Sequence, residues 1–241
     1  MLGAAAMQLN ERIIVALDFP SKELVEEFIG KFDHKDSLAF VKLGMELYYA
    51  EGPAMIEYLK AQGLKVFLDL KVHDIPNTAH GAIKSLAKYG VDILNVHASG
   101  GIEMMRRAND ALKSENADAK LIGVTQLTST DQTMLNDELG IAGSVDDAVL
   151  RLAENTKKAG LDGIVCSPLE VPKIKAELGQ EFLTVCPGVR LVDNSSDDQK
   201  RITTPEKAFA NGCDYIVMGR AITKAQSPHK TFEGLSKIMS S

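Results

Sequence analysis

Apolar residues along this chain fall into two alternating kinds of pattern. Short β-branched or aliphatic runs recur at Arg12–Phe19, Phe40–Met45, Lys65–Val72, Ile93–Ala98, Leu121–Leu127, Gly163–Ser167, Leu183–Pro187 and Tyr215–Gly219, with the lengths expected of strands. Between them, Lys22–Gly30, Gly52–Gln62, Asn77–Tyr89, Ile102–Ser114, Val145–Ala159, Pro168–Leu178, Pro205–Asn211 and Lys230–Met239 carry apolar residues at helical spacing. Gly63, Gly90, Gly160, Gly179 and Gly212 each follow a helical run, where a left-handed cap is wanted, and Pro53 and Pro205 stand at helix starts. Strand–helix units repeated in this way, with short connections and no interdomain linker, predict an α/β fold: a single (β/α)8 TIM barrel over residues 1–241. Residues 1–9 read as a frayed N-terminal extension, of which 1–6 precede a second methionine, Met7. A doubly wound open sheet is the rival, but it calls for a glycine-rich turn after the first strand, and here that strand ends Leu17-Asp18-Phe19-Pro20.

Composition narrows the functional classes. With 45% hydrophobic and 25% charged residues, 241 residues suit one large domain with a substantial core and argue against disorder. A formal charge of −6 argues against a general nucleic-acid or anionic-membrane surface, so any phosphate affinity must be local to a pocket. Cys166, Cys186 and Cys213 are odd in number and lie in or beside apolar segments, which predicts buried thiols in a reducing compartment. The first six residues have neither the apolar length nor the basic start of a signal peptide, and no later segment approaches a membrane span. The expected location is therefore the cytoplasm, with neither membrane nor nucleic acid as a partner.

In such a barrel, chemistry gathers at the carboxyl ends of the strands. Read in order, those ends offer Asp18, Lys42, Asp69 with Lys71, Asn95 or His97, Thr128, Cys166 or Ser167, Arg190, and Gly219 with Arg220. At the opposite ends, Arg12, Lys65 and Asp92 read as ordinary solvated charges. The densest stretch is Asp69-Leu70-Lys71-Val72-His73-Asp74-Ile75-Pro76, where the third strand gives way to a loop. Strand side chains alternate faces, so Asp69 and Lys71 point the same way while Asp74 lies just beyond. An aliphatic strand in front makes unpaired charge costly there, which marks the cluster as a candidate site. Taken alone, an Asp-x-Lys pair is often just an ion pair plugging a barrel mouth. The seventh strand runs into Pro187-Gly188-Val189-Arg190 and the eighth into Met218-Gly219-Arg220. Loops in these two places form the usual phosphate cradle of the fold, with Gly219 admitting the ligand to the backbone and Arg220 supplying a planar charged fork. Residues 190–204 make an unusually long connection that reads as a lid, with Gln199 placed to meet a phosphate on closure. His73 and His97 read as positioning residues rather than ligands.

The block Asp69–Thr78, together with Ala16-Leu17-Asp18, Val41-Lys42, Leu127-Thr128-Ser129, Pro187-Gly188-Val189-Arg190 and Asp198-Gln199-Lys200-Arg201, resembles orotidine 5′-phosphate decarboxylases of the bacterial type. The resemblance runs from Arg12 to about Arg220 and implies conversion of orotidine 5′-monophosphate to uridine 5′-monophosphate and CO2, the last step of de novo pyrimidine synthesis, by a homodimer that uses no cofactor and no metal. It implies that Lys71, held between Asp69 and Asp74, stabilises and then protonates the C6 carbanion, and that Lys42 completes the charged network and ties it to the ribose. It further implies that Asp18 meets the ribose, Thr128 the pyrimidine edge, and Arg190, Gln199, Gly219 and Arg220 the phosphate side, while Asp74, Ile75 and Thr78 serve the neighbouring subunit's site. Two other readings remain open at this point: a Mg2+-dependent sugar-phosphate decarboxylase or aldolase of similar barrel design, and a non-catalytic nucleotide-binding barrel.

Overall fold

The computed structural model describes residues 9–32, 38–191 and 203–238. Eight parallel strands close into a barrel in sequence order: β1 (Ile13–Ala16), β2 (Phe40–Gly44), β3 (Lys65–Val72), β4 (Ile93–His97), β5 (Lys120–Val124), β6 (Gly163–Val165), β7 (Leu183–Cys186) and β8 (Tyr215–Met218). Closure is made by β8 on β1, with Ile13 opposite Ile216 and Val15 opposite Met218. The helices are α1 (Lys22–Ile29), α2 (Met45–Glu51), α3 (Pro53–Ala61), α4 (Pro76–Ala87), α5 (Gly101–Glu115), α6 (Val145–Lys158), α7 (Val171–Leu178), α8 (Pro205–Ala210), α9 (Arg220–Thr223) and α10 (Pro228–Ile238). The predicted (β/α)8 barrel is thus what the chain forms. Each predicted strand is present within a few residues, as is each predicted helix.

Strand alternation sorts the apolar residues into two cores. Ile14, Ala16, Phe40, Phe67, Ile93, Ile122, Val185 and Val217 fill the barrel interior. Their strand neighbours, among them Ile13, Val15, Val41, Leu68 and Leu94, pack outward under the helices. The same alternation loads the mouth of the barrel. Two residues after interior Ala16 comes Asp18, after Phe40 comes Lys42, after Phe67 comes Asp69, and after Ile93 comes Asn95. Close packing between strands makes particular glycines obligatory: a Cβ on Gly163 would overlap the carbonyl of Leu183 and lie 2.6 Å from that residue's own Cβ.

The opposite end of the barrel departs from expectation. Arg12 is not a solvated charge: its guanidinium donates to the carbonyls of Cys213 at 2.6 Å and Asp214 at 3.0 Å and lies over the Phe209 ring. Asp92 accepts the backbone N–H of Val66 and an ammonium proton of Lys60. Asp162 does the same for Leu121 and Lys113, and Asp214 for Thr184 and Lys175. Each of these aspartates stands one residue before a strand, and its carboxylate accepts the N–H of the second residue of a neighbouring strand, which it supplies with a partner at the end of the ladder. Lys65 pairs with Glu11 at 3.0 Å.

Residues 1–8, Gln199 and most of the predicted lid lie outside the described residues. The ends of that connection are joined, because Thr203 donates to the Gly188 carbonyl and Arg190 donates to that of Thr203. Cys166, Cys186 and Cys213 are all free and buried, and burial among the neighbouring thiols pushes the Cys186 thiol well up. Among the described residues no helix is long and apolar enough to cross a membrane.

Candidate active site

A cavity of about 890 Å3 opens at the carboxyl ends of the strands. Its floor is the top layer of the barrel interior, Ala16, Phe67, Val124, Val165, Val185 and Val217. One wall carries Asp18, Lys42, Asp69 and Lys71. Continuing round the mouth come Gln126, Thr128 and Ser129 after β5, Gly188 and Arg190 after β7, and Gly219, Arg220 and Lys224 after β8, where Gly219 closes back on Asp18. The cavity is therefore apolar below, with an ionic cluster after β1–β3 and cations after β7 and β8.

The ionic wall is a chain of alternating charge. Lys42 Nζ lies 3.2 Å from Asp18 Oδ1 and 3.3 Å from Asp69 Oδ2, and Lys71 Nζ lies 2.6 Å from Asp69 Oδ1. Asp69 is 8% exposed, deep enough that its charge needs partners. Burial alone drives its carboxyl upward, but Lys42, Lys71 and a hydrogen bond from Asn95 outweigh burial and hold it below the usual carboxylate range. Desolvation likewise opposes the charge on Lys42, and the carboxylates of Asp69 and Asp18 overcome it and raise the ammonium above its ordinary value. Gly44 gives this lysine room, since a Cβ there would sit 3.0 Å from Nζ. Both central groups of the wall are thus held ionised.

The backbone at Lys71 is unusual. It has φ of 51°, the left-handed region that residues other than glycine seldom enter. The β3–β4 register slips at the same place: Leu68 pairs with Leu94 but Val72 pairs with Val96, so β3 advances four residues while β4 advances two. This bulge brings the Lys71 ammonium back over Asp69. Asn95, 1% exposed on β4, faces the bulge, donating to Asp69 Oδ1 at 2.7 Å and accepting the Lys71 backbone N–H at 2.8 Å.

Of the residues singled out in the sequence, Asp18, Lys42, Asp69, Lys71, Thr128, Arg190, Gly219 and Arg220 converge on this one cavity. Asp74, Ile75 and Thr78 do not line it and are exposed, Ile75 by 68%. Within the chain Lys71 pairs with Asp69 and not with Asp74, whose Oδ1 accepts the N–H of Ile75 at 2.7 Å. The reason is local, since Pro76 starts α4 immediately afterwards and carries the chain away from the mouth. Asn95 was one of two alternatives at its strand end; the signal that selects it is an amide inside an otherwise apolar strand. Gln126 and Lys224 were not foreseen, Ser129 entered only as part of the Leu127-Thr128-Ser129 motif with no role of its own, and Lys224 had only its place four residues after Arg220 to recommend it. The His97 and His73 rings lie 5.5 Å apart at a tilt of 46°, and burial, His73 and Lys71 hold the His97 imidazole below the usual value. Among the described residues no three His, Cys, Asp or Glu side chains gather as a metal site would require.

Residues 11–235 match the model of the orotidine 5'-phosphate decarboxylase / HUMPS family. The chain belongs to that family. Similar proteins include the orotidine 5'-phosphate decarboxylases of Bacillus mycoides and Bacillus cereus, each 50% identical over 93% of this chain and 95% of the relative. Among solved structures, the decarboxylase of Lactobacillus acidophilus superposes with a TM-score of 0.85 at 39% identity, covering 95% of this chain and 99% of that one. An uncharacterized conserved protein from Geobacillus kaustophilus superposes with a TM-score of 0.82 at 45% identity over 93% and 98% of the two chains. The resemblance carried by Asp69–Thr78 and its companion motifs therefore extends to family membership over nearly the whole chain, and the decarboxylase / HUMPS barrel is the frame in which the cavity is read.

Proposed function

We propose that this protein decarboxylates orotidine 5′-monophosphate to uridine 5′-monophosphate and CO2 in pyrimidine synthesis. The observation that carries the reading is the ionised Lys42–Asp69–Lys71 chain on one wall of a cavity whose rim also presents Arg190 and Arg220. A nucleotide has its phosphate and its pyrimidine at opposite ends, and this cavity has cations for both. Arg190, Gly219 and Arg220 receive the phosphate, Asp18 and Lys42 the ribose hydroxyls, and Thr128 the pyrimidine edge.

Loss of CO2 from C6 leaves an electron pair in the ring plane, where the π-system cannot delocalise it. A cation fixed beside C6 stabilises that pair. Lys71 fills the role, and its ammonium then gives C6 the proton that replaces CO2. Asp69, already ionised and hydrogen-bonded, fixes the ammonium so that little reorganisation is left for the moment of reaction. Lys42 keeps Asp69 charged and links it to the ribose side. No cofactor takes part in this scheme.

We further propose that the protein works as a homodimer in which Asp74, Ile75 and Thr78 complete the partner's site. Their exposure beside the mouth, and the 68% exposure of an isoleucine, support this. The buried free thiols suit a reducing compartment such as the cytoplasm. The test of the reaction is the absorbance change of orotidine 5′-monophosphate with and without excess chelator. Turnover that survives chelation is expected. Chelator-sensitive turnover of a sugar phosphate, or saturable uridine 5′-monophosphate binding with no decarboxylation, would replace this reading with a metal-dependent enzyme or a nucleotide sensor respectively.

A further inference from the structure

The bulge in β3 poses a problem that one side chain solves. Where β3 spends two residues more than β4, the ladder lapses and the N–H of Lys71 loses its strand partner. The same distortion puts Lys71 at φ of 51°, a conformation that persists in a non-glycine residue only where its surroundings impose it. Opposite the gap stands Asn95, inward-facing like Ile93 two residues before it and 1% exposed. Its orientation follows from chemistry: an N–H of Lys71 can only donate and an ionised Asp69 can only accept, so Oδ1 faces the first and Nδ2 the second. A carboxamide is the side chain of this size that carries both functions. Aspartate lacks the donor and adds a charge beside Asp69, and leucine lacks both groups.

We infer that Asn95 is a positioning residue for the decarboxylation: it clamps the backbone of Lys71 and the carboxylate of Asp69 into one rigid unit, so that the ammonium is aimed before substrate arrives. Asn95 does not itself line the cavity, so it acts through those two groups. Its removal therefore affects the reacting centre much more than ligand affinity, which the phosphate rim and Lys42 supply.

The inference rests on the decarboxylase reading, and Asn95→Leu and Asn95→Asp test it against the unmodified protein. The measurements are kcat for orotidine 5′-monophosphate, Kd for uridine 5′-monophosphate, and the pH profile of kcat. Both variants are expected to lose about a hundredfold in kcat, as for an ångström-scale misplacement, while Kd changes by less than about threefold. In Asn95→Asp a second carboxylate beside Asp69 raises the pair's titration, so the acid limb of kcat moves to higher pH. Should Asn95→Leu not fold, the near-isosteric Asn95→Asp decides alone. Unchanged kcat and acid limb, losses in kcat and affinity that run in parallel, or failure of both variants to fold would overturn the inference, the last by giving Asn95 a purely structural role. If the unmodified protein does not turn over orotidine 5′-monophosphate, the decarboxylase reading fails; normal variants beside an active parent defeat only the role of Asn95.

Discussion

Lys42→Met separates charge from packing in the ionic wall. Methionine keeps most of the length and apolar stem of lysine and removes the ammonium that bridges Asp18 and Asp69. The two pairs are not equal. Asp18's side chain is 60% exposed, so its pair contributes about 0–1 kcal/mol. Asp69's side chain is 12% exposed and keeps Lys71 and Asn95, so the loss there is that of one charge-assisted hydrogen bond, about 1.5–3 kcal/mol. Together these give about 1.5–4 kcal/mol of destabilisation, a fall in Tm of roughly 3–16 °C for a chain of this size. Its pH dependence identifies the cause. Asp69 has its folded value held below the ordinary one, so its contribution is present above about pH 3.9 and is lost as pH falls through the folded value. Lys42 has its folded value raised, so its contribution is present below about pH 10.4 and is lost as pH rises through the folded value. Urea unfolding of both proteins followed by circular dichroism should therefore show a constant stability gap across neutral pH that narrows in the carboxylate range and again above about pH 10.4. A gap below about 0.5 kcal/mol, or one independent of pH, would refute the assignment of charge to this wall.

Further tests address the rim, the subunit boundary and the barrel wall. Arg220→Ala should weaken uridine 5′-monophosphate by about 10–100-fold and uridine by less than about threefold, as loss of a charge-assisted phosphate contact requires; titration calorimetry showing equal losses would remove the contact. Mixing inactive Lys71→Ala and Asp74→Ala proteins should restore about a quarter of normal activity at equal ratio, because half the dimers are hybrids with one intact site. No recovery despite demonstrated subunit exchange would place Asp74 in its own subunit's function. Gly163→Ala forces a Cβ against the backbone of Leu183 and should cost about 3 kcal/mol by urea unfolding, whereas near-normal stability would mean that β6 and β7 can part without penalty.

Alternation made the site largely legible before any coordinates. Once Ala16, Phe40, Phe67 and Ile93 are interior, Asp18, Lys42, Asp69 and Asn95 must follow them at the mouth, because a strand's period is two. What alternation could not reveal was the bulge. Asp69-Leu70-Lys71 alternates as a regular strand does, and only the structure places Lys71 in the left-handed region and so shows why an asparagine is buried across from it. Asp74 does not meet Lys71 within its own chain, because the turn into α4 at Pro76 intervenes, and sequence proximity alone does not say whether it reaches back or across to a neighbour. Helices α2 and α9 were missed because seven and four residues are too short for a helical period to stand out against the adjacent strand ends. Arg12 and Asp92 were mistaken for solvated charges because a charge at a strand start looks the same whether it meets water or an unpaired backbone group.

The account depends above all on a lysine ammonium, set beside C6 before substrate arrives, stabilising the carbanion and supplying its proton. Single-turnover decarboxylation of orotidine 5′-monophosphate by Lys71→Ala, with uridine 5′-monophosphate affinity measured on the same preparation, tests this directly. The prediction is a rate at least about 10^4-fold below the unmodified protein, the loss of electrostatic stabilisation and general acid together, with nucleotide binding retained. A folded, nucleotide-binding Lys71→Ala protein that decarboxylates at near-normal rate would contradict it.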